Sequence, residues 1–326
     1  MSNRQFHLAI CHFPGRFVPL RSVFVSAIRP QTLPAEPVHA VSDRRSAPWP
    51  FADFAGKAPL PNALSKPLKS ESMKLVKLFA ALALLAGAAL PAHARSYEEI
   101  QQSGKLIVAT GGEFPPFNYF AGSKLTGFEI EVAQAVVKKM GLAIEWKTLS
   151  FDSLLAGLQQ NRWDLVISSH GVTEERAKAV DFTTPHYCSG SSIVARDPAI
   201  RTAADLTGKV VAVQTGSTYL ENVRKLAKPR EIKNFPQDRD ARTALSSGRA
   251  DAWVTDKFVA LAAIQSNPEA NLKLGSPLFV ERIAAAVAKG NTALAARYNK
   301  ALAETLADGT YAAISNKYFH EDIRCQ

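Results

Sequence analysis

The chain has 326 residues, a length that usually corresponds to about two domains. It carries 39 Lys and Arg against 29 Asp and Glu, a formal net charge of +10. Residues 1–94 hold 11 of the basic and 4 of the acidic residues, and the remainder has a net charge of only +3. The overall charge therefore does not indicate a nucleic-acid-binding protein, because most of it lies outside the part predicted to fold.

The N-terminal part is predicted to consist of an extension and a leader. Residues 1–72 contain ten of the nineteen prolines and lack a sustained apolar period, so we expect a disordered or non-native extension. From Met73, MKLVKLFAALALLAGAALPAHA has a basic start, an apolar core too short to span a bilayer and a small-x-small cleavage site. This order is typical of a signal peptide over 73–94. We expect Met73 to be the true start and the mature protein to be periplasmic. We expect no lipid anchor, because no cysteine directly follows the cleavage site.

Beyond the leader, short apolar runs alternate with segments of helical periodicity. The predicted strands are KLIVAT (105–110), AIEWKTL (143–149), DLVISS (164–169), KVVAVQT (209–215), EIKNF (231–235) and ADAWVTD (250–256). The predicted helices cover 127–141, 151–161, 217–227, 238–248, 292–309 and 310–319. Strands that alternate with helices of this length predict βαβ units with right-handed crossovers, and hence an α/β fold with parallel sheets.

Two extended runs indicate where the chain crosses between two lobes. SGSSIVARD (189–197) follows the first group of elements, and RIAAAVAKG (282–290) precedes the final helices. Two crossings predict a discontinuous lobe of residues 96–188 with 281–326, and a continuous lobe of residues 189–280.

Candidate binding segments follow the predicted strands directly. Open parallel sheets bind ligands at the carboxyl ends of their strands, where loops meet helix N-termini. The segments at these positions are TGGEFPPFNY (110–119), SSHGVTEER (168–176), QTGST (214–218) and VTD (254–256). Together they supply aromatic rings, backbone amides, hydroxyls, one arginine and one aspartate.

Seven segments in order resemble a known family. They are ATGGEFPPFNY, GFEIEVAQAV, FDSLLAGLQQNRWDLVISS, VTEERAKAVDFTTPHY, GKVVAVQTGST, GRADAWVTD and DGTYAAISNKYF. Over residues 97–320 the chain resembles the periplasmic polar-amino-acid-binding proteins of ABC importers, solute-binding protein family 3. The resemblance implies a two-lobe periplasmic-binding-protein fold with a two-strand hinge that closes on a free amino acid. It also implies a monomer that delivers its ligand to an inner-membrane ABC permease, with no cofactor, metal or catalytic residue.

The resemblance assigns the two ends of the ligand to two charged residues. Arg176 matches the family arginine that holds the α-carboxylate, and a guanidinium suits this role because it can form two parallel hydrogen bonds. Asp256 matches the acid that receives the α-ammonium. Two alternatives stay open: Arg176 as an exposed helix residue paired with Glu174 or Glu175, and Asp256 as a helix N-cap.

The resemblance implies further ligand contacts and shows several departures. The implied contacts are Phe114, Phe151, Ser169, Gly171, Thr215 and Thr218. Relatives for basic or amide side chains often carry an acid at the position of Gly111, and Glu113 could replace it or face solvent. Gln214 and His170 stand where side-chain recognition varies, although His170 also fits a hydrogen-bonded loop residue. Gly171 stands where a threonine is common. We expect the clamp chemistry to be kept and the side-chain recognition to differ.

Three other functions are alternatives to amino-acid binding: a dehydratase, a binding protein for another small carboxylate and a sensory module. Cyclohexadienyl dehydratases resemble this family, but their pattern places a glutamate near the position of Tyr219, and general acid catalysis needs an acid within hydrogen-bond reach. A binding protein for another small carboxylate would leave Asp256 unpaired, which is costly for a buried carboxylate. A sensory module would need a signalling domain from a separate partner.

The cysteines and histidines of the mature part allow fewer conclusions. Cys188 and Cys325 could form a disulfide in an oxidising compartment, or remain two free thiols, because the sequence does not show whether they come together. His186 and His320 are isolated along the chain and are expected to be structural.

Overall fold

The structure is a computed structural model that describes residues 94–325. The predicted extension 1–72 and leader residues 73–93 lie outside this range. The strands are β1 Lys105–Thr110, β2 Glu113–Phe114, β3 Asn118–Ala121, β4 Lys124–Thr126, β5 Ala143–Thr148, β6 Leu165–Val166, β7 Val180–Phe182, β8 Tyr187–Ala195, β9 Val210–Gln214, β10 Glu231–Phe235, β11 Ala252–Asp256, β12 Lys273–Ile283 and β13 Ala286–Ala288. The helices are α1 Tyr97–Ser103, α2 Phe128–Lys139, α3 Phe151–Gln159, α4 Glu174–Ala179, α5 Thr218–Leu226, α6 Asp238–Ser246, α7 Lys257–Ser266, α8 Thr292–Ala307 and α9 Thr310–Phe319.

Two five-stranded sheets organise the described residues. The first has the order β5-β1-β6-β13-β7, in which β1 runs parallel to β5 and β6. The second has the order β10-β9-β11-β8-β12, in which β9 runs parallel to β10 and β11. In each sheet the strands supplied by consecutive βαβ units are parallel, whereas the strands next to the crossings are antiparallel.

Two long antiparallel strands connect the sheets. The chain enters the second sheet through β8 and returns to the first through β12, and the two strands pair from Tyr187 opposite Ile283 outward. This arrangement confirms the predicted two-lobe α/β fold with a two-strand hinge.

The predicted alternation of strands and helices is confirmed, and its differences have local causes. Helix α2 is bounded by Gly127 and Gly141, which both have positive φ angles of 124° and 73°. The strand predicted over 164–169 ends after Val166, because the chain turns at Ser169, whose φ is +53°. The candidate binding segment after β1 contains β2 and the start of β3, which belong to a small third sheet.

A disulfide fixes the C-terminus beside the hinge. Cys188 and Cys325 are bonded, with their Cα atoms 4.8 Å apart and 137 residues between them in sequence. The Cys188 backbone N–H also donates to the Ile323 carbonyl at 3.1 Å. The C-terminal segment is therefore held against the start of β8. Among the described residues, no helix is long and apolar enough to cross a membrane.

Candidate ligand-binding cleft

The carboxyl ends of the parallel strands of both sheets meet at one cleft. Its lining combines aromatic rings, hydroxyls and one guanidinium from the two lobes: Gly111, Glu113, Phe114, Asn118, Leu149, Ser150, Phe151, Ser168, Ser169, Arg176, Gln214, Ser217, Thr218, Tyr219 and Pro236. Seven of the predicted contacts therefore reach the cleft, whereas His170, Gly171, Thr215 and Asp256 lie beside it.

Arg176 bridges the two sides of the cleft. Its Nη1 donates to the Gly171 carbonyl at 2.8 Å, and its Nη2 donates to the Gly216 carbonyl at 2.9 Å. A guanidinium has five N–H donors, so these two bonds leave three for a ligand. Glu175 instead pairs with Lys178 at 2.7 Å, so an ion pair does not account for Arg176.

A stack of planar groups supports the arginine. The rings of Phe151 and His170 lie 4.3 Å apart and nearly parallel, and the Arg176 Cζ is 5.8 Å from the centre of the Phe151 ring. Burial, together with the charge of Arg176, holds the pKa of His170 well below its usual value. His170 is therefore a neutral ring stacked on Phe151; its Nδ1 has no hydrogen-bond partner, whereas its backbone carbonyl accepts from the Ala284 N–H at 3.2 Å.

A buried glutamate holds the loop that precedes Arg176. Glu129 is completely buried; its Oε1 accepts from the Ser169 backbone N–H at 2.8 Å and lies 3.0 Å from His186 Nε2. Its Oε2 accepts from Ser169 Oγ at 3.0 Å and from Asn118 Nδ2 at 2.8 Å. Sequence reasoning missed this network: Glu129 resembles an ordinary acid in the first turn of a helix, and His186 seemed isolated.

Asp256 is the last residue of strand β11 and the N-cap of helix α7. Its Oδ1 accepts from the Phe258 backbone N–H at 2.7 Å, so the N-cap alternative describes a real contact. Its Oδ2 is buried and has no hydrogen-bond partner. Burial raises the pKa of Asp256 to about 7, although the neighbouring Ser189 hydroxyl and the cap amides oppose this shift. The N-cap role therefore uses one oxygen and leaves the other available.

The second sheet contributes the start of helix α5. Ser217 caps this helix by accepting from the Leu220 backbone N–H, and Thr218 is its first residue. The Thr215 backbone N–H is bonded to the Phe235 carbonyl at 2.8 Å, so this amide is used within the sheet. Ser217 and Thr218, rather than Thr215, are the residues of this segment that line the cleft with Gln214.

Glu113 joins the two sides at the outer end of the cleft. Its Oε1 accepts from Gln237 Nε2 at 2.7 Å and lies 3.9 Å from Arg239 Nη2. Burial raises its pKa, and the charge of Arg239 opposes this shift. Gln214 Nε2 donates to the Pro236 carbonyl at 3.4 Å, and both residues also line the cleft. Glu113 thus contacts protein groups rather than solvent alone.

A second carboxylate beside the cleft comes from Glu281 on β12, a residue that sequence reasoning used only to mark the lobe boundary. Its Oε2 accepts from Thr218 Oγ1 at 2.8 Å, and the side chain is buried. An acid within the apolar run of β12 was a signal available in the sequence. Within residues 94–325, no group of three or more His, Cys, Asp or Glu side chains could hold a metal ion.

The family described as bacterial extracellular solute-binding proteins, family 3, matches residues 106–321. The chain belongs to this family. The predicted resemblance is thereby confirmed.

Similar proteins include both curated relatives and solved structures. The L-cystine-binding protein TcyJ of Escherichia coli is 33% identical over 249 residues, covering 74% of this chain and 94% of that protein. The ABC transporter arginine-binding protein 1 of Escherichia coli is 32% identical over 220 residues, covering 66% of this chain and 90% of that protein. The structure of an ancestral arginine-binding protein bound to arginine is 41% identical with a TM-score of 0.63, covering 66% of this chain and 98% of that one.

Proposed function

We propose that this solute-binding protein captures a free amino acid in the cleft and delivers it to an inner-membrane ABC permease. The observation that carries the proposal is the pair Arg176 and Asp256. Arg176 is a guanidinium in the cleft with N–H donors that are not used by the protein. Asp256 is a carboxylate with one unpaired oxygen, and it acts electrostatically on Tyr219 in the cleft lining. These groups are complementary to an α-carboxylate and an α-ammonium. The relatives named for binding cystine and arginine, one of them in an ABC transporter, support this class of ligand.

The mechanism is closure of the two-strand hinge around the ligand. Arg176 already contacts a carbonyl on each side of the cleft, and Glu113 with Gln237 makes a second bridge. A ligand favours the closed state only through contacts that it gains on closing. In the proposed complex, Arg176 holds the carboxylate, Phe114 and Phe151 flank the ligand, Ser169 and Thr218 add hydrogen bonds, and Asp256 receives the ammonium.

The lobes, the leader and the assembly state complete the proposal. The first sheet uses strands from the proposed lobe 96–188 with 281–326, and β9, β10 and β11 come from the proposed lobe 189–280. Relatives in the family are extracellular solute-binding proteins. We propose that residues 73–94 direct export, that the mature protein has no lipid anchor, and that it acts as a monomer.

Ligand-dependent thermal unfolding tests the proposal. Purified protein is scanned against the twenty amino acids, cystine and prephenate. A ligand at a thousandfold its Kd stabilises the folded state by about 4 kcal/mol, which raises the Tm by roughly 8–16 °C for a domain of this size. We expect a group of amino acids to give this shift and prephenate to be neither bound nor converted. A shift with prephenate alone, together with its turnover, would instead establish the dehydratase function.

A further inference from the structure

Glu281 is a buried carboxylate beside the cleft to which the proposed function assigns no role. Gly171 makes room for it, because a Cβ atom at position 171 would lie only 2.0 Å from Glu281 Oε2. The same Cβ would lie 3.3 Å from Thr218 Cγ2. Gly171 and Ile283 form a β-bridge, which fixes the backbone of this loop against β12. The space next to the loop that carries Arg176 is therefore filled by a carboxylate from the hinge.

Only one of the two oxygens of the Glu281 carboxylate is hydrogen-bonded. Thr218 donates to Oε2, whereas Oε1 is buried without a hydrogen-bond partner. The Tyr219 hydroxyl acts on the pKa of Glu281 but does not meet the geometry of a hydrogen bond to Oε1. Unpaired buried polar atoms are uncommon in folded proteins and require an explanation such as a bound ligand or water.

Asp256 shares the same face of the sheet. Glu281 lies opposite Ser189 on β8, and Asp256 lies opposite Ser191. Side chains at positions i and i+2 of a strand, and those directly opposite on neighbouring strands, point to the same face. The Ser191 hydroxyl is also buried and unpaired, and the Ser189 hydroxyl acts on the pKa of Asp256 without meeting the geometry of a hydrogen bond. One face of three adjoining strands therefore holds two carboxylates and two hydroxyls with unused hydrogen-bonding capacity.

The charges beside the cleft do not balance. Within residues 94–325, Arg176, Asp256 and Glu281 have no oppositely charged side-chain atom within 4.0 Å. Glu113 differs, because it is bonded to Gln237 and lies beside Arg239. When both carboxylates are ionised, one cation and two carboxylates leave a net charge of −1. A zwitterionic ligand would leave that charge in place, whereas a ligand of net charge +1 would neutralise it.

Burial favours the same conclusion. Desolvation raises the pKa of both Glu281 and Asp256, and the charge of Glu281 raises the pKa of Asp256 further. Thr218, Arg176 and Tyr219 oppose the rise at Glu281. A nearby cation favours the charged form of a carboxylate. The ionised pair is therefore stabilised when a cationic group enters.

We propose that Glu281 is a specificity-determining residue whose bare Oε1 binds a cationic group of the ligand, so that the cleft selects a basic amino acid over a neutral one. The inference rests on the proposed function and narrows its substrate class. In this conformation neither Glu281 nor Asp256 lines the cleft directly, although each acts electrostatically on Tyr219, which does. The proposal requires that opening of the hinge expose both carboxylates to the ligand.

Titration calorimetry with arginine and citrulline tests the inference, because citrulline has the shape of arginine without its side-chain charge. We expect the wild-type protein to bind arginine at least about 30-fold more tightly, as for a buried charge pair. Glu281→Gln keeps the size of the side chain and an acceptor for Thr218. It should reduce the preference to less than about 3-fold, mainly through weaker arginine binding. Glu221→Gln is the matched control: it removes an exposed charge that also acts on Arg176, and it should retain the preference.

A second variant tests the position independently of the charge change. Gly171→Ser places a side chain where Glu281 Oε2 lies, so the carboxylate must move, and the arginine preference should fall as well. Equal wild-type affinity for arginine and citrulline, or a preference that survives Glu281→Gln, would overturn the inference. Tight binding of only neutral amino acids would overturn it but leave the proposed function standing. Failure to bind any amino acid would refute both.

Discussion

The carboxylates behind the two walls of the cleft, which do not line it themselves, are hydrogen-bonded to different degrees. On the wall of the first sheet, both oxygens of Glu129 are bonded, and the network includes Ser169, Asn118 and His186. On the wall of the second sheet, Asp256 and Glu281 each keep one buried oxygen without a partner. A satisfied network rigidifies a site, whereas an unsatisfied acceptor is available to a ligand. The first wall therefore positions the arginine, and the second wall is built to receive positive charge.

The largest effect is expected from removing the satisfied carboxylate. Glu129→Leu leaves buried donors on Ser169, Asn118 and His186 without an acceptor, which should cost about 3–5 kcal/mol of unfolding free energy. Denaturant unfolding measures this loss. Glu129→Gln retains an acceptor of similar shape and should cost clearly less. Equal losses for the two variants would mean that packing rather than hydrogen bonding matters at this position.

The disulfide supports the strand that carries both unpaired serines. Replacing Cys188 and Cys325 together by serine removes a cross-link over 137 residues, and should lower the free energy of unfolding by about 2–5 kcal/mol. Thermal unfolding of this variant and of the reduced wild-type protein should agree. Amino-acid affinity should change much less than stability, because neither cysteine lines the cleft. A stability equal to that of the oxidised protein would show that the bond contributes nothing.

Removing the arginine should affect binding rather than folding. Arg176→Ala eliminates both bridging hydrogen bonds and the proposed carboxylate contact, and should weaken amino-acid binding by about 2–5 kcal/mol. Arg176→Lys keeps the charge but not the planar fork, so it should recover only part of the affinity. Calorimetry gives the affinities, and circular dichroism checks the fold. Near-wild-type affinity in the alanine variant would refute the assignment.

The smallest effect is expected in the pH dependence of folding stability, which reflects buried carboxylates with raised pKa values. The pKa of Asp256 is raised to about 7, and that of Asp238, which is buried beside Trp253, is also about 7. Such groups bind protons more readily in the folded state, so the ligand-free protein should gain stability as the pH falls from 7 to 5. Asp256→Asn, which can still cap helix α7, should remove about 1–2 kcal/mol of this gain.

The same protonation should oppose ligand binding. An ammonium group needs the ionised form of Asp256, so amino-acid affinity should fall as the pH is lowered through 7, by at most about tenfold per pH unit. Calorimetry at pH 8, 7, 6 and 5 measures this fall. An affinity that does not depend on pH would show that Asp256 does not receive the ammonium.

The sequence alone determined the α/β alternation, the family and the position of Arg176 and Asp256 after their strands. These features depend on apolar periods, caps and strand-end loops, which are local along the chain. It could not show the surroundings of Thr215 or His170, since these depend on neighbours in other elements.

Tertiary structure decided the rest of the site. Glu129 meets Ser169 across 40 residues, Thr218 meets Glu281 across 63, and Cys188 meets Cys325 across 137. No local pattern specifies such contacts, because they arise when separate strands and loops pack together. The room that Gly171 leaves for Glu281 became visible only once the hinge strand lay against the loop.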